Sequence, residues 1–247
     1  MSQTFPYLVH PESRNELAGY VLDYFSRRNP KPETELTYQS PYQLAVAVIL
    51  SAQCTDKRVN IVTPPLFEKY PSPQALAQAR FEDLYQVVKS VSYPNNKAKN
   101  LIAMAKMLVE QFNGELPRTV EELVLLPGVG RKTANVLVSV LFDTPAMAVD
   151  THVFRVSNRI GLVEATNPLQ AEKQLVEIIP RDLLPKAHHW LILHGRYVCK
   201  ARKPECSQCG LTNVCHYYME EGMCFCEDGA PQFTDRQPDA EEFRAEE

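Results

Sequence analysis

Lys132 stands two residues behind a glycine turn, in Leu126-Pro127-Gly128-Val129-Gly130-Arg131-Lys132-Thr133. Helix-forming runs flank the turn, so it delivers the chain to the start of a helix. Unpaired N–H groups point outward there and suit a phosphate. Gly128 and Gly130 are expected to give the turn positive φ and to let another backbone come close. Arg131 and Lys132 oppose the helix dipole, each at a cost of roughly 0.3–1 kcal/mol. A sequence shaped by stability alone would favour acids at this place. A DNA phosphate would offset the cost for Arg131. The same positive field, helped by burial, favours a neutral Lys132 amine, which is a nucleophile toward an electrophilic carbon. An ordinary helical corner with a solvated lysine fits the spacing equally well. A Walker A loop does not: it needs Gly before the Lys and a strand before the loop, and this chain has Arg131 and a helical run.

Asp150 precedes Thr151-His152-Val153-Phe154-Arg155 at the predicted start of another helix. Position alone makes it an N-cap. The apolar Ala148-Val149 before it would also desolvate it in part. A carboxylate so placed could stabilise a developing sugar cation or manage protons.

Six of the seven cysteines fall between Cys199 and Cys226. Cys199, Cys206, Cys209 and Cys215 have the spacing C-x6-C-x2-C-x5-C, which signals a metal site rather than a disulfide framework. Zinc and a [4Fe–4S] cluster both accept four cysteines, and the spacing does not choose between them. Lys200, Arg202 and Lys203 lie in the first loop, where a bound metal would display them as a rigid basic surface toward a phosphate backbone. Cys224 and Cys226 stand outside the pattern, and Cys54 reads as structural. His188, His189 and His194 share a helix with Trp190 and read as core or surface histidines.

The elements that must position these groups all read as helices. Ser40-Pro41 opens a buried helix through Ala52, Thr55 or Asp56 caps the next, and Ser72-Pro73 opens a short one. Further helices are predicted over 81–91, 96–112, 120–125, 132–142, 151–160, 168–179 and 185–198, with one around Leu17 to Phe25. Thr119 and Glu122 form a capping-box pattern. The chain is all-α with short connections and no internal repeat.

With 247 residues and 45% hydrophobic content, the chain can bury a sizeable core. The formal charge of −4 hides its distribution. Residues 227–247 hold eight acids and two bases, whereas Lys186 to Cys206 holds five bases and one acid. That tail is poor in large apolar residues and is expected to be disordered. The longest apolar run, Leu44 to Leu50, is too short for a membrane span, and no signal peptide is evident. A cytoplasmic monomer, nucleoid-associated if bacterial, is expected.

Leu126-Pro-Gly-Val-Gly-Arg-Lys132, Val149-Asp150-Thr-His-Val-Phe-Arg155, His189-Trp-Leu-Ile-Leu-His-Gly-Arg196 and the four-cysteine loop together resemble the endonuclease III family, from about Pro32 to Cys215. The resemblance implies a two-domain helix-hairpin-helix DNA glycosylase fold. Its parts are a six-helix barrel at 34–144 and an iron–sulfur domain from 1–33 with 145–226. It implies a base-excision glycosylase that removes oxidised pyrimidines and nicks the strand by β-elimination. Lys132 falls on the nucleophile, Asp150 on the catalytic carboxylate, and the four cysteines on the ligands of a [4Fe–4S] cluster. Double-stranded DNA with a damaged pyrimidine or abasic site is the implied partner. Gly128, Val129, Gly130 and Arg131 would face its backbone, and Gln53 would fill the gap left by the flipped base. Ser92-Tyr93-Pro94-Asn95 departs from the family, with Tyr93 as an aromatic wedge and Pro94 stiffening the loop. An adenine-mismatch glycosylase, whose branch generally lacks the lysine, and a non-catalytic DNA-binding metalloprotein are the alternatives.

Overall fold

Ser40, Ser72 and Asn167 each stand before a proline, and each side chain accepts a hydrogen bond from the N–H three residues on. Proline costs nothing at a first helical position, because its missing N–H would have no partner there. The computed structural model describes residues 11–142 and 144–220. The acidic tail, Cys224 and Cys226 therefore lie outside the described residues.

Every regular element among the described residues is helical. In chain order they are α1 (Arg14–Arg28), α2 (Pro41–Ser51), α3 (Asp56–Lys69), α4 (Pro73–Ala77), α5 (Phe81–Val88), α6 (Pro94–Gln111) and α7 (Val120–Leu123), then α8 (Arg131–Phe142), α9 (Thr151–Ile160), α10 (Pro168–Ile178), α11 (Leu184–Tyr197) and α12 (His216–Glu220). None of the described helices is long and apolar enough to cross a membrane.

Two apolar cores organise them. The first gathers side chains between Leu36 and Val138 around α2, whose residues from Leu44 to Leu50 are all buried. A helix apolar on every side has to sit at the centre of its neighbours. The second joins Leu17, Val21 and Phe25 of α1 to side chains between Met147 and Val214. Trp190 Nε1 donates to Asn29 O at 2.7 Å, which ties α11 to the end of α1. The chain therefore begins in the second core, leaves to build the first, and returns.

Three expectations change. Helix α6 begins at Pro94, not at Asn96, so Pro94 is a first-turn residue and does not stiffen a loop. Tyr93 before it is left-handed, with φ 52°, and offers no side-chain cap, which is why the usual start signal is missing. Of the two hairpin glycines only Gly128 has positive φ, at 83°, while Gly130 does not. A Cβ on Gly128 would come within 3.0 Å of Asn100 Cβ, whereas one on Gly130 would meet nothing within 4 Å. Gly128 makes the turn against α6, and Gly130 leaves an open approach. Finally, Lys132 is exposed, so the burial expected for it is absent.

Candidate functional site

A cleft of about 1110 Å³ opens between the two cores, with Lys132, Asp150 and Gln53 on its walls. Lys132 comes from the first turn of α8 and Asp150 from the cap of α9, so each core supplies one.

Asp150 Oδ1 accepts from the N–H groups of His152, at 2.9 Å, and Val153, at 2.8 Å. Its Oδ2 lies 3.3 Å from His152 Nδ1. Burial alone would push this carboxyl up. The His152 side chain, the Lys132 charge and the Val153 N–H together outweigh it and hold Asp150 well below the usual carboxylate range. Asp150 is thus both a helix cap and a fixed negative charge on the wall shared with Lys132.

Gln53 and Tyr93 are both exposed and both left-handed, with φ of 51° and 52°. Such backbone costs on the order of 1–3 kcal/mol per residue and persists only where the surroundings impose it. Ser92 Oγ donates to Gln53 O at 2.5 Å, which joins the two turns. Behind them lies Lys97, 6% exposed, whose Nζ donates to Leu50 O at 3.0 Å and Ala52 O at 2.5 Å. Its ammonium takes over carbonyls that the end of α2 leaves unpaired. Burial draws its pKa down. Lys97 could have been found in the sequence, since it continues the buried stripe Leu101, Ala105 and Leu108. Replacing it by Met would leave two buried acceptors without a donor. The Lys97→Met variant is expected to lose about 1–3 kcal/mol of stability, read as a lowered urea midpoint with an unchanged slope.

Arg131, expected to meet a phosphate, is exposed and has an acidic neighbour. Its guanidinium grips Glu172 of α10 through Nη2 at 2.8 Å and Nε at 3.3 Å. An ion pair 41 positions apart leaves no trace in local spacing. Val129 is buried under the hairpin, and Gly128 and Gly130 lie on its exposed side.

Arg196 pairs with Asp56 at 2.6 Å and with Glu35, joining α11 to the first core along the cleft. His188, read from sequence as a core or surface histidine, is buried and lines the same cleft.

The cysteine loop hangs on α9. Arg155 Nη2 donates to Gly195 O at 2.9 Å and Cys199 O at 3.1 Å. Arg159 donates to Lys200 O at 2.8 Å and Ala201 O at 2.9 Å, and its Nη1 lies 3.6 Å from Cys199 Sγ. Cys199, Cys206, Cys209 and Cys215 are half-buried free thiols. Burial pushes Cys209 up to about 12 and Cys215 up to about 11, so thiolates there call for a neighbouring cation. Among the described residues no three His, Cys, Asp or Glu side chains converge on a single ion-sized point. Lys200 pairs with Glu205, while Arg202 and Lys203 are exposed beside it.

The sequence matches the HhH-GPD superfamily base excision DNA repair protein family over residues 46–181. It is 50% identical over 204 residues to endonuclease III of Rickettsia prowazekii (strain Madrid E), covering 83% of this chain and 96% of that one. It is 44% identical over 197 residues to endonuclease III of Escherichia coli (strain K12), covering 80% and 93%. A solved structure of a trapped endonuclease III–DNA covalent intermediate, an estranged-adenine complex, superposes with a TM-score of 0.80 at 45% identity, over 83% of this chain and 97% of that one. A hairpin leading to a lysine, a capping carboxylate on the same cleft, and this measure of likeness lead to one conclusion: the chain belongs to the endonuclease III family of helix-hairpin-helix base excision repair proteins.

Proposed function

We propose that this chain is a DNA glycosylase with AP lyase activity that removes oxidised pyrimidines and nicks the strand through a lysine Schiff base. The observation that carries it is the pairing of Lys132 and the ionised Asp150 on one cleft, behind a hairpin whose exposed glycines suit a phosphate. Double-stranded DNA is the substrate, in keeping with the relatives solved as DNA complexes.

In this reading the damaged base is flipped into the cleft, and Gln53 and Tyr93 occupy the vacated space. Asp150 carries negative charge where the sugar becomes positive as the base leaves. The Lys132 ammonium gives up a proton, which the departing base takes, and the nitrogen gives the freed lone pair to C1′ while the C1′–base bond breaks, so the base leaves with the electrons of that bond and with that proton. Loss of the amine proton and opening of the sugar ring give an imine. Removal of a C2′ proton then expels the 3′-phosphate, which is the nick, and water frees Lys132. Because Asp150 is buried among donors before substrate arrives, its charge needs no reorganisation during the step.

The four cysteines suit a [4Fe–4S] cluster, which would fasten the loop carrying Lys200, Arg202 and Lys203. The division into residues 34–144 and 1–33 with 145–226 is supported by the two separate cores. A preparation holding the cluster is brown with broad visible absorbance. The Cys209→Ala variant is expected to lose that absorbance and to become open to protease between Lys200 and Cys215. A colourless native protein that contains zinc would overturn the cluster.

Duplexes carrying one oxidised pyrimidine, one abasic site or one adenine mismatch, assayed in chelator, test the function. Base release and nicking of the first and nicking of the second are expected. Release of mismatched adenine without a nick would replace this reading with a monofunctional mismatch glycosylase.

A further inference from the structure

Residues 144–150, between α8 and α9, lead to the second core as an irregular segment ending in Asp150. Met147, Ala148 and Val149 are 1%, 1% and 6% exposed. Buried carbonyls need donors, and no helix or strand supplies any here. Two side chains do so from opposite sides. Asn135 Nδ2 of α8 donates to Met147 O at 3.1 Å, and His188 Nδ1 of α11 donates to Ala148 O at 2.7 Å. A carbonyl has no proton to give, so Nδ1 must carry the hydrogen.

The two donors are not arbitrary fillers. Asn135 lies one helical turn beyond Lys132 on the same helix, and two residues, Ala148 and Val149, separate the residue whose carbonyl it holds from Asp150. His188 sits on the cleft wall with Lys132 and Asp150. Burial, then the neighbouring His189, drives its pKa down to about 3, so the imidazole remains neutral and its bond to Ala148 does not change through the working range. Asn135 thus measures the crossing segment from the lysine's helix, and His188 measures it from the second core.

The geometry points to Asn135 and His188 as positioning residues that form a clasp on the crossing segment and set the separation of Lys132 from Asp150. Neither touches the reacting atoms. Each acts through a backbone carbonyl. The inference rests on the glycosylase–lyase reading above, because it concerns the alignment of that reaction's two groups. Its size follows from geometry: a misplacement of about 1 Å in a reacting pair costs on the order of 100-fold in rate.

The test uses the intact protein and reads single-turnover base release and borohydride trapping under saturating enzyme, together with affinity for a duplex containing an uncleavable abasic analogue. Asn places its amide N–H where Nδ1 of histidine stands, and Gln places its own where Nε2 stands. His188→Asn is therefore expected to stay within about 5-fold of the wild-type rate, while His188→Gln, the closer match in volume, falls about 10- to 100-fold. Asn135→Leu, close in size and without a donor, is expected to fall by a similar factor, with duplex affinity changed by less than about 3-fold. Equal rates for His188→Asn and His188→Gln would reduce His188 to packing and overturn the clasp. An Asn135→Leu rate within about 3-fold of wild type would overturn it as well, and this variant decides the matter if His188→Gln does not fold. Wild-type protein that leaves no trapped adduct would instead defeat the lyase reading, so the two failures are told apart.

Discussion

Borohydride added during turnover of an abasic duplex is expected to trap wild-type protein covalently and to trap none of a Lys132→Ala variant. The amine is expected to supply the bonding electrons to C1′; Lys57 is the other amine on the cleft, but it is the Lys132 charge that bears on Asp150. Its removal takes away the covalent route and not a fraction of it, so incision should fall on the order of 10^4-fold or more. Binding should survive, because the hairpin's N–H groups are backbone. The same duplex should shift at nearly the same protein concentration, and its affinity should remain steeply salt-dependent. A variant that still gives a reducible adduct would place the nucleophile elsewhere.

Asp150→Asn is the second large effect, and its value lies in separating two roles that one side chain combines. Asn caps a helix about as well as Asp, so the bonds from the His152 and Val153 N–H groups can be kept. What disappears is the charge facing Lys132. Base release is expected to slow by roughly 10²- to 10⁴-fold, with duplex affinity nearly unchanged. Asp150→Ala should add to this a loss of about 1 kcal/mol in stability from the missing cap. If Asp150 were a cap only, the Asn variant would work at the wild-type rate. The pH dependence has a definite sign. A carboxyl held below its unfolded value contributes stability in full above about pH 4 and gives it up progressively as pH falls toward the folded value. The wild type should therefore lose stability into acid more steeply than Asp150→Asn. Between about pH 5 and 8 Asp150 stays ionised, so it should put no acid limb on the rate.

Local chemistry was legible in the sequence wherever a local rule governed it. Ser40-Pro41 and Ser72-Pro73 announce their helices because cap and first-turn proline are neighbours in sequence. Asp150 was legible as a cap for the same reason. The start of α6 has no such signal, because a left-handed Tyr93 precedes it. The Arg131–Glu172 pair leaves no local trace, because its partner is 41 positions away. Spacing reports the face of a helix but not what lies beyond it, so the exposure of Lys132 is not legible there. The bonds from Asn135 and His188 are silent in the sequence because their acceptors are backbone carbonyls, which every residue has.

The return of the chain to its starting core has a consequence for synthesis. Helix α1 emerges first, yet its apolar face of Leu17, Val21 and Phe25 finds its partners only after residue 147 has been made. The first core, built mostly from near neighbours, can close in the meantime. A nascent or broken chain can therefore own the hairpin and Lys132 while lacking Asp150 and the wall that holds it. Incision is therefore expected to begin only when the amino-terminal helix has been met by residues 147–214, so an unfinished molecule carries the lysine without its carboxylate.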